Sequence, residues 1–230
     1  MIIRKVIIIP LILASSIAAH HAASLSAFSA GERNTIAMTD DEPEFAPIVE
    51  REMDYYDFTL NATDGRPFNL RRYASDKRLV IVGYIAGWCK NSIQNGHVIK
   101  RLYDKYRDRG VGIVAVSEYS TAEELEVYIN RIGLDCPVVT ETDSQNARKK
   151  SIHYKYRQAV GDRRKWGTPF YIIIAFGDIE PDAPKVPLAR RIHTVSGEIV
   201  ESEAEQFIER HLVRGKSNAE SLKSKVRERP

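Results

Sequence analysis

Residues 79–92 read Leu79-Val80-Ile81-Val82-Gly83-Tyr84-Ile85-Ala86-Gly87-Trp88-Cys89-Lys90-Asn91-Ser92. Residues 78–85, with the apolar run Leu79-Val80-Ile81-Val82, have the length and the Val/Ile content of a buried strand. After Cys89 the period changes. Ile93, His97, Leu102, Tyr103 and Tyr106 share one broad helical face, and Gly110 stops it. Cys89 therefore stands where a strand gives way to a helix. Unpaired N–H groups and the positive end of the helix dipole favour a thiolate there. Lys90 adds a positive charge, Ser92 one turn on offers the sulfur a hydroxyl hydrogen bond, and Trp88 partly covers the position. The competing possibility is an inert cysteine buried at a strand end. The helix-start position weighs towards a reactive thiol.

Outward from this junction, residues 55–60 alternate like a short strand, Asp64-Gly65 marks a turn, and 67–70 is extended again. A second buried strand is expected at 112–117. Thr121, with Glu124 three residues on, predicts a capping box for a helix running to about residue 132. A third strand is expected at 137–140 and an Arg/Lys-rich helix at 144–156. A basic loop at 161–166 precedes a strand at 170–176. Ser196-Gly197 is flanked by extended residues and predicts a hairpin turn, followed by a helix at 202–212. Strands alternating with helices, then a hairpin and a closing helix, indicate an α/β domain with a central mixed sheet flanked by helices. More than one α/β layout satisfies that order.

The 230-residue chain has the composition of a globular protein, 43% hydrophobic and 28% charged. That length allows one domain plus tails. Arg4 and Lys5 followed by an apolar stretch predict an export signal over 1–23, either cleaved or retained as an anchor. Residues 24–52 are expected to be a flexible linker, 53–213 the folded domain and 214–230 a charged tail. Export places the domain in the periplasm, a secretory lumen or outside the cell, where disulfides persist. Two cysteines exclude a disulfide scaffold. The net charge of +3 makes no case for nucleic acid. His97, His153, His193 and His211 lack metal-ligand spacing, so neither a metal nor another cofactor is expected.

A second motif, Trp166-Gly167-Thr168-Pro169-Phe170, places its proline eighty residues after Cys89 and just before an apolar strand. With Asp57-Phe58-Thr59-Leu60, Asp64-Gly65, Gly87-Trp88-Cys89 and the strand before Ser117, it resembles the thioredoxin-like redoxins. More closely, it is similar to the exported thiol–disulfide oxidoreductases related to the alkyl hydroperoxide reductase/thiol-specific antioxidant group. The resemblance covers residues 55–212 and implies a thioredoxin fold. It implies that Cys89 is the active thiol and Trp88 its usual neighbour. It also implies that Pro169 is a cis-proline facing the thiol and that Thr168 pairs its backbone with substrate.

Two departures matter. Ser92 stands where these proteins carry a second, resolving cysteine, and 83–88 lacks the Pro and Thr of a peroxide-reducing site. Cys136 is a poor substitute, because it opens a strand expected to run parallel to the one ending at Cys89, at the opposite edge of the sheet. A monothiol exchanger is therefore expected, with Cys89 and Ser92 at the catalytic position and Lys90 tuning the thiol. Trp88, Thr168 and Pro169 would bind substrate. Its partners would be protein disulfides or glutathione mixed disulfides, with an external thiol as reductant. The alternative is a non-catalytic thioredoxin-fold module that binds an exported protein. Arg163, Arg164 and Lys165 could attract an acidic peptide or the carboxylates of glutathione, or be only a solvated loop.

Overall fold

A computed structural model describes residues 43–213. The expected signal, most of the expected linker and the expected tail lie outside the described residues. Strands β1 (Val49–Tyr55), β2 (Thr59–Ala62) and β3 (Pro67–Asn69) lead into the short helix α1 (Leu70–Ala74). Then follow β4 (Leu79–Ile85), α2 (Lys90–Tyr106), β5 (Val111–Ser117), α3 (Ala122–Ile132), β6 (Val138–Thr140), α4 (Ile152–Ala159), β7 (Phe170–Ala175) and β8 (Ala189–Val195). Residues 201–213 are helical.

The eight strands form one sheet in the order β1-β8-β7-β4-β5-β6-β2-β3. β4, β5 and β6 run parallel. β7 lies antiparallel to β4, so the sheet is mixed. β4 and β5 are buried at every position, as expected for strands covered on both faces. Their alternation sorts the core. Leu79, Ile81, Val111 and Ile113 pack with residues of α2, α3 and the 201–213 helix. Val80, Val82, Tyr84 and Val114 face α1 and Tyr156 of α4. The capping box forms, with Thr121 Oγ1 accepting from Glu124 N–H at 3.2 Å and Glu124 Oε2 from Thr121 N–H at 2.9 Å. On the surface, α2 and the 3-10 turn that follows it (Arg107–Arg109) are joined to the 201–213 helix by Arg101–Glu201, Lys105–Glu205 and Arg109–Glu209 ion pairs.

Three expectations are corrected. β1 begins at Val49, inside the stretch expected to be linker, because Val49–Glu52 and Tyr55 pair with β8. Residues 144–156 are not one helix: a 3-10 turn (Gln145–Lys150) ends at Ser151, which caps α4 by accepting from Tyr154 N–H. The hairpin at Ser196-Gly197 does not form. Glu198 instead bridges Phe45, donating its N–H to Glu44 O at 2.8 Å and accepting from Ala46 N–H at 3.1 Å. A partner more than 150 residues away in sequence displaces the local one.

Candidate functional site

Cys89 is the N-cap of α2, with φ −78° and ψ 122°. Its N–H donates to Ala86 O at 3.0 Å, closing the turn after β4, and its carbonyl takes the first helical bond, from Ile93 N–H at 2.9 Å. The side chain makes no cap bond. The sulfur is left to face another segment: the Cys89 thiol donates to Thr168 O at 3.3 Å. Thr168-Pro169 is a cis peptide at the entrance to β7. The two motifs, eighty residues apart, thus meet. Cys89 is half-buried, whereas Thr168 is buried.

The turn before Cys89 is held from the end of β5. Trp88 Nε1–H donates to Tyr119 O at 3.1 Å, and Gly87 N–H donates to Ser120 Oγ at 2.7 Å. Position 87 must be glycine for a steric reason, since a Cβ there would sit 2.6 Å from Glu124 O. Trp88 packs edge-on against Trp166, ring centroids 5.3 Å apart. Ser92 is fully buried. Its hydroxyl oxygen accepts from Ala86 N–H at 3.3 Å, so its partner is the turn beneath Cys89. Lys90, half-buried, opens the helix, and its charge reaches Glu198.

Behind the Thr168 loop lies a buried polar cluster that sequence reasoning missed. His153 is wholly buried; its Nε2 pairs with Gly167 O at 3.2 Å and its Nδ1 with Tyr119 Oη at 3.1 Å. A carbonyl only accepts, so Nε2 carries the proton and Nδ1 accepts from the Tyr119 hydroxyl. Burial, reinforced by the Arg157 charge, holds the imidazole well below its usual range, hence neutral. Arg157 is also fully buried. Its Nη2 donates to Arg164 O at 2.8 Å, and its Nε lies 3.6 Å from Asp162 Oδ2. Gly167, at φ +64°, rests directly on that guanidinium. Glu118 is buried beside Thr142, whose hydroxyl donates to Oε2 at 2.6 Å. Burial, with Glu141 nearby, pushes the Glu118 carboxyl well above the usual range. One signal pointed here: residues 118–120 follow a parallel strand at the same edge as Cys89, where open α/β sheets place their sites.

Cys136 stays in the core, 5% exposed, and burial pushes its thiol up to about 12. Val138 is level with Ala115 and, through it, Gly83. Cys136 thus lies two residues further from the edge that carries Cys89. At ~3.3 Å per residue and ~4.8 Å per strand, the two sulfurs are far beyond disulfide reach. Among the described residues no group of His, Cys, Asp and Glu could hold a metal ion. No described helix is long and apolar enough to cross a membrane.

A mixed sheet with a thiol at the start of α2, facing the peptide before a cis-proline, defines a thioredoxin-fold redoxin. Residues 53–164 match the AhpC/TSA family. Thiol-disulfide oxidoreductase ResA of Geobacillus thermodenitrificans is 29% identical over 89 residues, 39% of this chain and 50% of that protein. The match thus spans about half the length of this curated relative. The thioredoxin domain of a thiol-disulfide oxidoreductase from Bacteroides vulgatus superposes with a TM-score of 0.51 at 15% identity, covering 70% of this chain and 96% of that one. A thioredoxin-family thiol:disulfide interchange protein from Chlorobium tepidum gives 0.50 at 17% identity, covering 70% and 97%. These two likenesses concern the fold.

Proposed function

We propose that the protein exchanges thiols and disulfides through Cys89 alone. The Cys89 thiolate attacks one sulfur of a client disulfide. A new S–S bond forms, and the client's other sulfur leaves as a thiolate that takes up a proton. Release needs a second thiolate, from the client or from a low-molecular-weight thiol, to attack the client sulfur and return Cys89 as a thiolate. Electrons balance in both steps, since one disulfide is consumed for each one formed. The observation that carries this is the Cys89 thiol donating to Thr168 O at 3.3 Å from the N-cap of α2, with a hydroxyl at position 92. Ser92 cannot resolve the adduct, and Cys136 is out of reach. Trp88, Thr168 and Pro169 would seat the client, and Lys90 supplies positive charge beside the attacking sulfur. Such chemistry suits isomerisation, deglutathionylation or client retention in an exported, oxidising compartment.

The test is to mix the full chain, wild type and Cys89→Ser, with a cystine-containing peptide, quench in acid and weigh the products. The wild type should carry an adduct on Cys89 that persists until a thiol is added, and Cys89→Ser none. Equal products from both would leave the non-catalytic binding module as the better account.

A further inference from the structure

The charge of this chain is concentrated in one stretch. Residues 144–166 hold eight cations (Arg148, Lys149, Lys150, Lys155, Arg157, Arg163, Arg164 and Lys165) and one carboxylate, Asp162, while the whole chain totals only +3. Asp162 is already engaged by Arg157 and Arg164. Glu141, just upstream, is turned to the backbone N–H groups of Ile152 and His153 at the start of α4. Among the described residues Arg148, Lys149, Lys150, Arg163 and Lys165 make no ion pair. The Arg101, Lys105 and Arg109 row along α2 and the turn after it, by contrast, has one glutamate for each cation.

Two of the uncompensated cations are linked to the thiol's neighbour through an aromatic pair. The Arg148 guanidinium and the Lys165 ammonium lie over the Trp166 ring, 5.4 and 5.1 Å from its centroid, and Arg148 donates to Lys165 O. Trp166 in turn packs on Trp88, the neighbour of Cys89. Lys149, Lys150, Arg163 and Lys165 are exposed. Arg148 and Lys165 thus flank the Trp166–Trp88 pair that adjoins the sulfur, and Lys149, Lys150 and Arg163 are their near neighbours in sequence.

We propose that this surface docks an acidic polypeptide segment flanking the client's disulfide. The proposal rests on the exchange function given above and names its client class. Five unpaired cations drawn from two segments exceed the two carboxylates of glutathione, which favours a polypeptide over that tripeptide. Charges of one sign at a site entrance raise the encounter rate of the opposite sign by ~10- to 1000-fold at low salt.

The experiment uses three cystine peptides that differ only in flanking residues: Asp/Glu, Ser/Asn and Lys. Second-order rates of adduct formation at Cys89 are divided by each peptide's rate with a neutral small thiol, because flanking charge alters intrinsic exchange. At roughly 10 mM salt the acidic peptide should react at least about tenfold faster than the lysine peptide, and the ratio should approach one near 1 M, where the screening length is ~3 Å. Lys149→Ala/Lys150→Ala/Arg163→Ala should abolish that ratio, and Lys105→Gln on the paired face should keep it. Independently, fluorescence anisotropy should show the acidic peptide binding the Cys89→Ser chain and losing that binding in the triple variant. Equal rates for all flanks, or a ratio that survives the triple variant, would overturn the proposal. So would an equal slowing of glutathione disulfide by the triple variant, which would make the ligand a small anionic thiol. If no peptide reacts with Cys89 at all, it is the exchange function that fails, and the anisotropy still decides whether the surface binds acidic segments.

Discussion

His153 holds the carbonyl of Gly167 at 3.2 Å through its Nε2–H, one residue before the carbonyl that faces Cys89. Because burial keeps this imidazole neutral well below its usual range, the native state declines a proton that the unfolded chain accepts at roughly pH 6.5. Its contribution to stability is complete above that pH and is lost as pH falls from there towards the folded value. The limiting slope is about 1.4 kcal/mol per pH unit. His153→Gln can still donate an N–H but cannot titrate. Its urea midpoint should fall less steeply than the wild type's between about pH 7 and pH 5. Parallel profiles would show that His153 is not the group that titrates.

Gly167 has a positive φ, and a Cβ there would lie 1.6 Å from Arg157 Nη1. Gly167→Ala should therefore cost on the order of 2–5 kcal/mol, from backbone strain and overpacking together. Adding Arg157→Ala removes the clashing group and should recover at least about 1 kcal/mol relative to the sum of the two single changes. Strictly additive losses in urea denaturation would mean that the guanidinium is not what excludes a side chain at 167.

The two cysteines should differ sharply towards an alkylating agent. Cys89 is half-buried at a helix start, whereas the Cys136 thiol is buried and pushed up to about 12. Mass spectrometry after brief iodoacetamide treatment near pH 8 should find a single label, on Cys89, in the native protein and two labels in urea. Equal native labelling would place Cys136 outside the core.

Ser92→Cys should convert the trap into a two-thiol couple. Residue 92 lies one turn after Cys89 and fully beneath the turn, so the new sulfur would approach Cys89 from the protected side. Mild oxidation should remove both thiols, adducts with cystine peptides should become scarce, and turnover of insulin disulfides with a thiol donor should rise. Two thiols still titrating after oxidation would contradict this placement of position 92.

The elements framing the site were legible because their signals are local. β4 and β5 are unbroken apolar runs, α2 starts at the change of period after Cys89, and α3 announces itself through Thr121 and Glu124. The adjacency of Cys89 and Thr168-Pro169 came from family resemblance, and spacing alone would not have provided it. What stayed hidden depends on distant partners. Ser196-Gly197 looks like a hairpin until Glu44 and Ala46 claim Glu198, and Val49–Glu52 looks like linker until β8 is there to pair with it. His153 and Arg157 sit in a basic helix, where nothing local says that both face inward.

The Arg101–Glu201, Lys105–Glu205 and Arg109–Glu209 pairs repeat every four residues, along α2 and the 3-10 turn after it on one side and along the 201–213 helix on the other. Sliding the 201–213 helix by about one turn, ~6 Å at 1.5 Å per residue, would re-form two of the three contacts with the same chemistry. The ladder is therefore degenerate: it favours side-by-side helices without saying which rung meets which. The vernier is apolar. Ala204, Phe207, Ile208 and Leu212 are of unequal size and fill the core beneath, and a one-turn slip would put large groups into small sockets. Charge recruits the last helix, and side-chain volume decides where it stops.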